Sequence, residues 1–85
     1  MITKKITASK IADYLHHDLG IEELVDWAER ALMDEDFDEA DIEVLSRVIS
    51  RVGLADVPEF ELTWNDCEEL LHQLGFEARV DVVPA

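Results

Sequence analysis

Four stretches of this sequence repeat apolar side chains at three- and four-residue steps, and little interrupts them. The clearest is Ile21, Leu24, Val25, Ala28 and Leu32, the i, i+3, i+4, i+7, i+11 pattern that places apolar groups along one side of a helix. Such a helix is stable only when that side is covered, so several of them in one short chain point to a bundle. With 3 Gly and 2 Pro among 85 residues, the punctuation is sparse and falls between the stripes. The spacing predicts helices over 8–18, 21–34, 39–52 and 64–74.

Each segment carries its own start and stop signals. Thr7 or Ser9 is the expected cap of the first helix, and Ala8, Ile11, Ala12, Leu15 and Leu19 form its apolar side, opposite Asp13, His16 and His17. Gly20 separates it from the second helix, where Trp27 and Met33 lie away from the stripe on either side. Asp38 is the expected cap of the third, which buries Ile42, Leu45, Val48, Ile49 and Val52. Arg47 and Arg51 sit toward its C-terminal end, where cations are favoured, and Gly53 is placed to end it in the left-handed conformation. Thr63 and Asp66 have capping-box spacing ahead of Cys67, Leu70, Leu71 and Leu74, with Trp64 at the edge as core or staple and Gly75 as the stop. Phe76–Val82 and Ile2, Lys4, Ile6 alternate at the strand period. The expectation is therefore a mainly α fold, a small bundle of four short helices, with a two-stranded β-ribbon from the N- and C-terminal segments. The chain reads as one domain, 1–85: a basic leader or edge strand at 1–7, a helical body at 8–75 and a strand at 76–83.

Charge narrows the function classes. Seven Lys and Arg face 21 Asp and Glu, a formal −14, while 48% hydrophobic residues keep the chain out of the disordered class. Lys4, Lys5 and Lys10 precede every acid; beyond them four arginines meet all 21 acids, a formal −17. Nucleic acid is excluded as a direct partner, since phosphate binding needs a basic footprint. A single cysteine allows no internal disulfide, and no apolar run reaches the roughly 18 residues of a membrane span or the core of a signal peptide. A cytoplasmic protein without membrane contact is the expectation.

The residues that invite chemistry fail on geometry. Asp34, Asp36 and Asp38 occupy positions 1, 3 and 5 of an EF-hand loop, but the turn position holds Glu39 instead of Gly and the bidentate position holds Leu45. Asp13 and His17 share a helical face at a four-residue step, two ligands without a third. Glu69 and His72 have the Glu-x-x-His spacing of di-iron bundles in a single copy. Cys67 lies in the apolar stripe, with His72 too far around the helix to activate it. Size and acidity are similar to those of acyl carrier proteins, but Ser9, Ser46 and Ser50 all lack the Asp-Ser-Leu setting that a phosphopantetheine arm needs.

No nucleophile–base pair or cofactor motif is present, so the expectation is a non-enzymatic protein-interaction module without a cofactor or resident metal. It would dock on a basic or mixed-charge partner protein, in the physical manner of inhibitors, immunity proteins, antitoxins or regulators. The expected contact residues are Glu23, Asp26 and Trp27 of the second helix and Asp34, Asp36, Phe37 and Asp38 of the acidic run that follows. Two alternatives stand beside it. One is a metal-responsive regulator using the acidic loop or the Asp13/His17 pair. The other is a self-associating structural protein, a homodimer through Trp27 and an edge strand carrying Val80 and Val82.

Overall fold

The computed structural model describes residues 1–34 and 36–77. Among them are four helices, α1 (Lys4–Leu15), α2 (Ile21–Asp34), α3 (Ile42–Val52) and α4 (Trp64–Gln73). Single 3₁₀ turns at Glu39–Asp41 and Pro58–Phe60 lead into α3 and α4. The most extensive helix pairing is α2 on α3, and α1 packs against all three other helices. The fold is mainly helical, as the sequence pattern requires.

The core follows the apolar stripes. Leu24, Val25, Ala28 and Ala31 of α2 and Leu45, Val48, Ile49 and Val52 of α3 are buried in one cluster with Ile11, Cys67, Leu70, Leu71 and Leu74. Ala55 and Leu62 pin the long connection between α3 and α4 to that cluster. Truncating a fully buried Leu24 or Ile49 to Ala removes a contribution of about 2–5 kcal/mol, a large part of the stability of a domain this small.

Several boundaries differ from the sequence expectation. The first helix starts at Lys4, so most of the expected leader or edge strand is helical. Thr3 is the reason. Its hydroxyl accepts from the Ile6 amide at 3.1 Å, and its carbonyl accepts from the Thr7 amide at 3.1 Å and the Thr7 hydroxyl at 3.0 Å. Thr7 is thereby a fully buried, satisfied core residue instead of a cap. Ile2 stays extended but forms a parallel bridge with Phe37, leaving the expected ribbon with no N-terminal strand. Its other half, from Ala78 onward, lies outside the described residues. Helix α3 begins at Ile42, which is exposed, because Glu39–Asp41 winds as a 3₁₀ turn behind the Asp38 cap. Gly53 keeps right-handed dihedrals, and the chain rolls on through turns to Val57. Trp64 is partly exposed at the surface instead of filling the core.

Two helix ends show how the sequence stops a helix. At α4, Gly75 takes φ +89°, the Phe76 amide donates to the Leu71 carbonyl at 2.9 Å, and the Gly75 amide donates to His72 at 3.0 Å. These are the two bonds of a Schellman motif with glycine at its left-handed position. At α1 the Asp18 amide reaches the Asp13 carbonyl at 2.9 Å and the His17 amide reaches Tyr14 at 3.1 Å. The left-handed position there is His17, φ 63°, where a side chain is strained. His17→Gly is expected to stabilise the protein by about 1 kcal/mol and Gly75→Ala to destabilise it by about as much. Thermal unfolding should move the two midpoints in opposite directions, by roughly 4–8 °C per kcal/mol.

Candidate functional site

The acidic run after α2 is tied to the N-terminus. The Met1 amino group sits 3.1 Å from Asp36 Oδ2, and the Ile2 amide donates to the Asp36 carbonyl at 2.7 Å. The Asp38 amide donates to the Ile2 carbonyl at 2.9 Å, and Lys4 Nζ lies 3.6 Å from Asp41 Oδ1. Asp38 Oδ1 accepts from the Ala40 amide at 3.2 Å and so starts the turn into α3. Between these bonds Phe37 is buried in the core cluster, 8% exposed. Its ring is a staple, closed to a partner in this conformation. The basic N-terminus and the acidic run thus hold each other, although exposed ion pairs of this kind contribute only about 0–1 kcal/mol each.

The outer face of α2 is different. Glu22, Asp26, Glu29 and Met33 follow one another at four-, three- and four-residue steps along one exposed ridge, with Met33 82% exposed at its end. Beside it run Glu23, Trp27, Arg30 and Asp34 at the same steps; Trp27 is partly buried against the core and the other three are exposed. Glu22 and Glu23 lie in the first turn, where the helix dipole favours acids. No basic residue occupies the last turn, so Asp34 stands at the negative end of the helix without a counter-charge from it. Arg30 is held by Asp26 at 3.1 Å. Of the seven expected contact residues, Glu23, Asp26, Trp27 and Asp34 therefore share this face, while Asp36, Phe37 and Asp38 serve the loop's own structure.

A second surface was not legible in the sequence. Along α1, Lys5, Ala8, Ser9, Ala12 and His16 face Trp64 and Leu71 of α4 and Phe76 beyond it, across an open apolar groove of about 470 Å³. The groove exists because the α1 side chains opposite Leu71 are Ala and Ser. Its only early signal was that run of small residues, uninformative until α4 is known to be the helix lying across it. Trp64 and Phe76, 39% and 40% exposed, stand along it. Phe76 and Glu77 also border a furrow of about 620 Å³ on the outer side of α4, lined by Asn65, Glu68, Glu69, His72 and Gln73.

Arg51 was read only as a cation suited to a helix end, and it does more. Its Nη1 donates to the Phe60 carbonyl at 2.7 Å, its Nη2 lies 3.6 Å from Asp66 Oδ2, and the guanidinium carbon stands 5.9 Å from the Phe60 ring centre. It fastens the connection to the start of α4. There the capping box is complete: Thr63 Oγ1 accepts from the Asp66 amide at 3.2 Å, and Asp66 Oδ2 accepts from the Thr63 amide at 3.0 Å. That accepted amide bond, with the Thr63 hydroxyl and Arg51 behind it, lowers the Asp66 pKa below the usual aspartate value. Cys67, next along, is fully buried. Burial first, and the neighbouring Asp66 charge second, push its thiol up to about 11. His17 sits past the end of α1, so it does not hold the helical register with Asp13 that a shared face requires. Among the described residues no group of three His, Cys, Asp or Glu side chains is placed to hold a metal ion. No described helix is long and apolar enough to cross a membrane.

Comparison with protein-family models, with curated proteins and with solved structures finds no match.

Two outcomes follow from the α4 start. A carboxylate whose folded pKa is lowered adds stability above its unfolded value of about 4, and that stability is lost as pH falls through the folded pKa. The gap in urea stability between wild type and Asp66→Asn should therefore be level near neutrality and close in acid; a gap that widens in acid contradicts this reading. Iodoacetamide at pH 8 should alkylate native Cys67 more than about 100-fold slower than the urea-unfolded chain, given an ordinary thiol pKa near 8.5.

Proposed function

We propose that this protein is a non-enzymatic interaction module that docks on a basic or mixed-charge partner protein, led by the acidic face of α2. The observation that supports the reading most is the cost of that face to the fold. Acids near the C-terminal end of a helix oppose its dipole, by about 0.3–1 kcal/mol each. Asp34, the last residue of α2, occupies that region with no basic residue in the last turn, and Glu29, farther from the end, adds charge to the same surface; neither has a hydrogen-bond or ion-pair partner among the described residues. Acids that weaken their own helix are accounted for when a cation from outside meets them. The exposed Met33 between them adds an apolar contact of the kind interfaces favour. A surplus of negative charge also steers a basic partner toward the protein and speeds encounter in a salt-dependent way.

The test separates binding from folding. Glu29→Lys/Asp34→Lys should leave the helix content unchanged and raise the thermal midpoint, since a cation at position 34 suits that end of α2 and both changes relieve the surplus of negative charge. Affinity capture from the native cell lysate at about 50 and 500 mM salt, a range that spans strong screening, should recover a basic protein with the wild type at low salt only. The reversed variant should lose it. Capture of the same protein by both, with equal recovery, would remove the α2 face from the reading.

A further inference from the structure

The apolar groove between α1 and α4 has a chemistry of its own. Two partly exposed aromatics, Trp64 and Phe76, flank a floor of Ala8, Ala12 and Leu71. Large aromatic side chains left at a surface are the groups that dominate protein interfaces. The two edges differ in charge. Lys5 and His16 stand on the α1 edge. On the α4 edge Glu77 is shared with the outer furrow, which continues the surface into the exposed carboxylates of Glu68 and Glu69. An apolar trough with Glu77 on its edge and Glu68 one helical turn beyond Trp64 is complementary to a helix that is apolar on one face and carries Lys or Arg beside it. The length agrees. Helix α4 has 10 residues, about 15 Å at 1.5 Å per residue, the span of about three turns.

We propose that this groove seats an amphipathic helix of the partner protein. Its apolar side chains lie against Ala12, Leu71, Trp64 and Phe76, and its basic side chains reach Glu77 and Glu68. The proposal rests on the reading of the chain as an acidic docking module, and adds to it the surface that receives the partner and the shape of what is received. In this division the α2 face speeds encounter and the groove holds the complex.

The experiment uses the full ¹⁵N-labelled chain at low salt, titrated with a synthetic 18-residue Leu/Lys amphipathic helix and with a scramble of the same composition. The amphipathic peptide should move the amide signals of Ser9, Ala12, Trp64 and Phe76, and the scramble should not. Ser9→Tyr fills the trough from an exposed position without changing charge, and Glu68→Lys/Glu77→Lys reverses the acidic edge. Each should weaken binding at least about 10-fold with an unchanged circular dichroism spectrum. If both peptides move only α2 and the acidic loop, the groove proposal fails while the electrostatic reading survives. If neither peptide binds, both fail. Nuclear Overhauser contacts from residues 79–83 to Ala12 or Trp64 in the free protein would mean the chain fills its own groove. Concentration-dependent shifts at Ser9 and Ala12 without peptide would assign the groove to a second copy. Either result overturns the proposal.

Discussion

The packing of α2 on α3 is the constraint from which the rest of the molecule follows. Leu24, Val25, Ala28 and Ala31 close against a core that includes Leu45, Val48, Ile49 and Val52, and nearly every other buried side chain joins the same cluster. Burial of apolar surface is the main force available to a chain of 85 residues with no disulfide. It also decides where the charge goes. Once one side of each helix is buried, 21 carboxylates have to be distributed over what remains. Desolvating an unpaired charge would cost more than a fold this small can offset.

That distribution is uneven in kind. Around the N-terminus the acids have local work: Asp36 takes the chain's amino group, Asp41 takes Lys4, and Asp38 starts the turn into α3. Phe37, between them, converts the loop into part of the core. Asp66 closes a capping box and meets Arg51. Along α2 no such work is visible among the described residues for Glu29 and Asp34, and at Asp34 the helix dipole opposes the charge. Acidity in this molecule thus divides into charges that build the fold and charges with no visible part in it, and the proposal of a partner rests on the second kind.

Much of the fold was legible because helical periodicity and capping are local. The Thr63/Asp66 box, the Gly75 stop and the buried sides of α2 and α3 are all fixed by residues within a turn or two of each other. The misreadings have two causes: a local cap or stop that periodicity does not show, and contacts that depend on what lies across the gap. Ile2, Lys4 and Ile6 alternate like a strand, but the Thr3 cap wins locally and Phe37 claims Ile2. His17 looked like half of a metal pair; it ends α1 at a left-handed position that glycine would fill with less strain. Phe37 reads in the sequence either as a staple onto the core or as the apolar centre of an acidic patch, and the bonds from Ile2 show why it turns inward. The α1–α4 groove was invisible for the same reason, since it is defined by the facing of two helices some fifty residues apart in sequence.

The central claim is that the surplus acidity costs the fold more than it contributes. The thermal midpoint of the wild-type protein, followed from about 20 to 500 mM sodium chloride, tests it most directly, because salt screens exposed charges over that range. The account predicts a midpoint that rises with salt, as repulsion among the outward-facing acids is relieved. A midpoint that falls with salt would show that the native ion pairs outweigh the repulsion. The acids would then be part of what holds the protein together, and the case for a partner at α2 would lose its foundation.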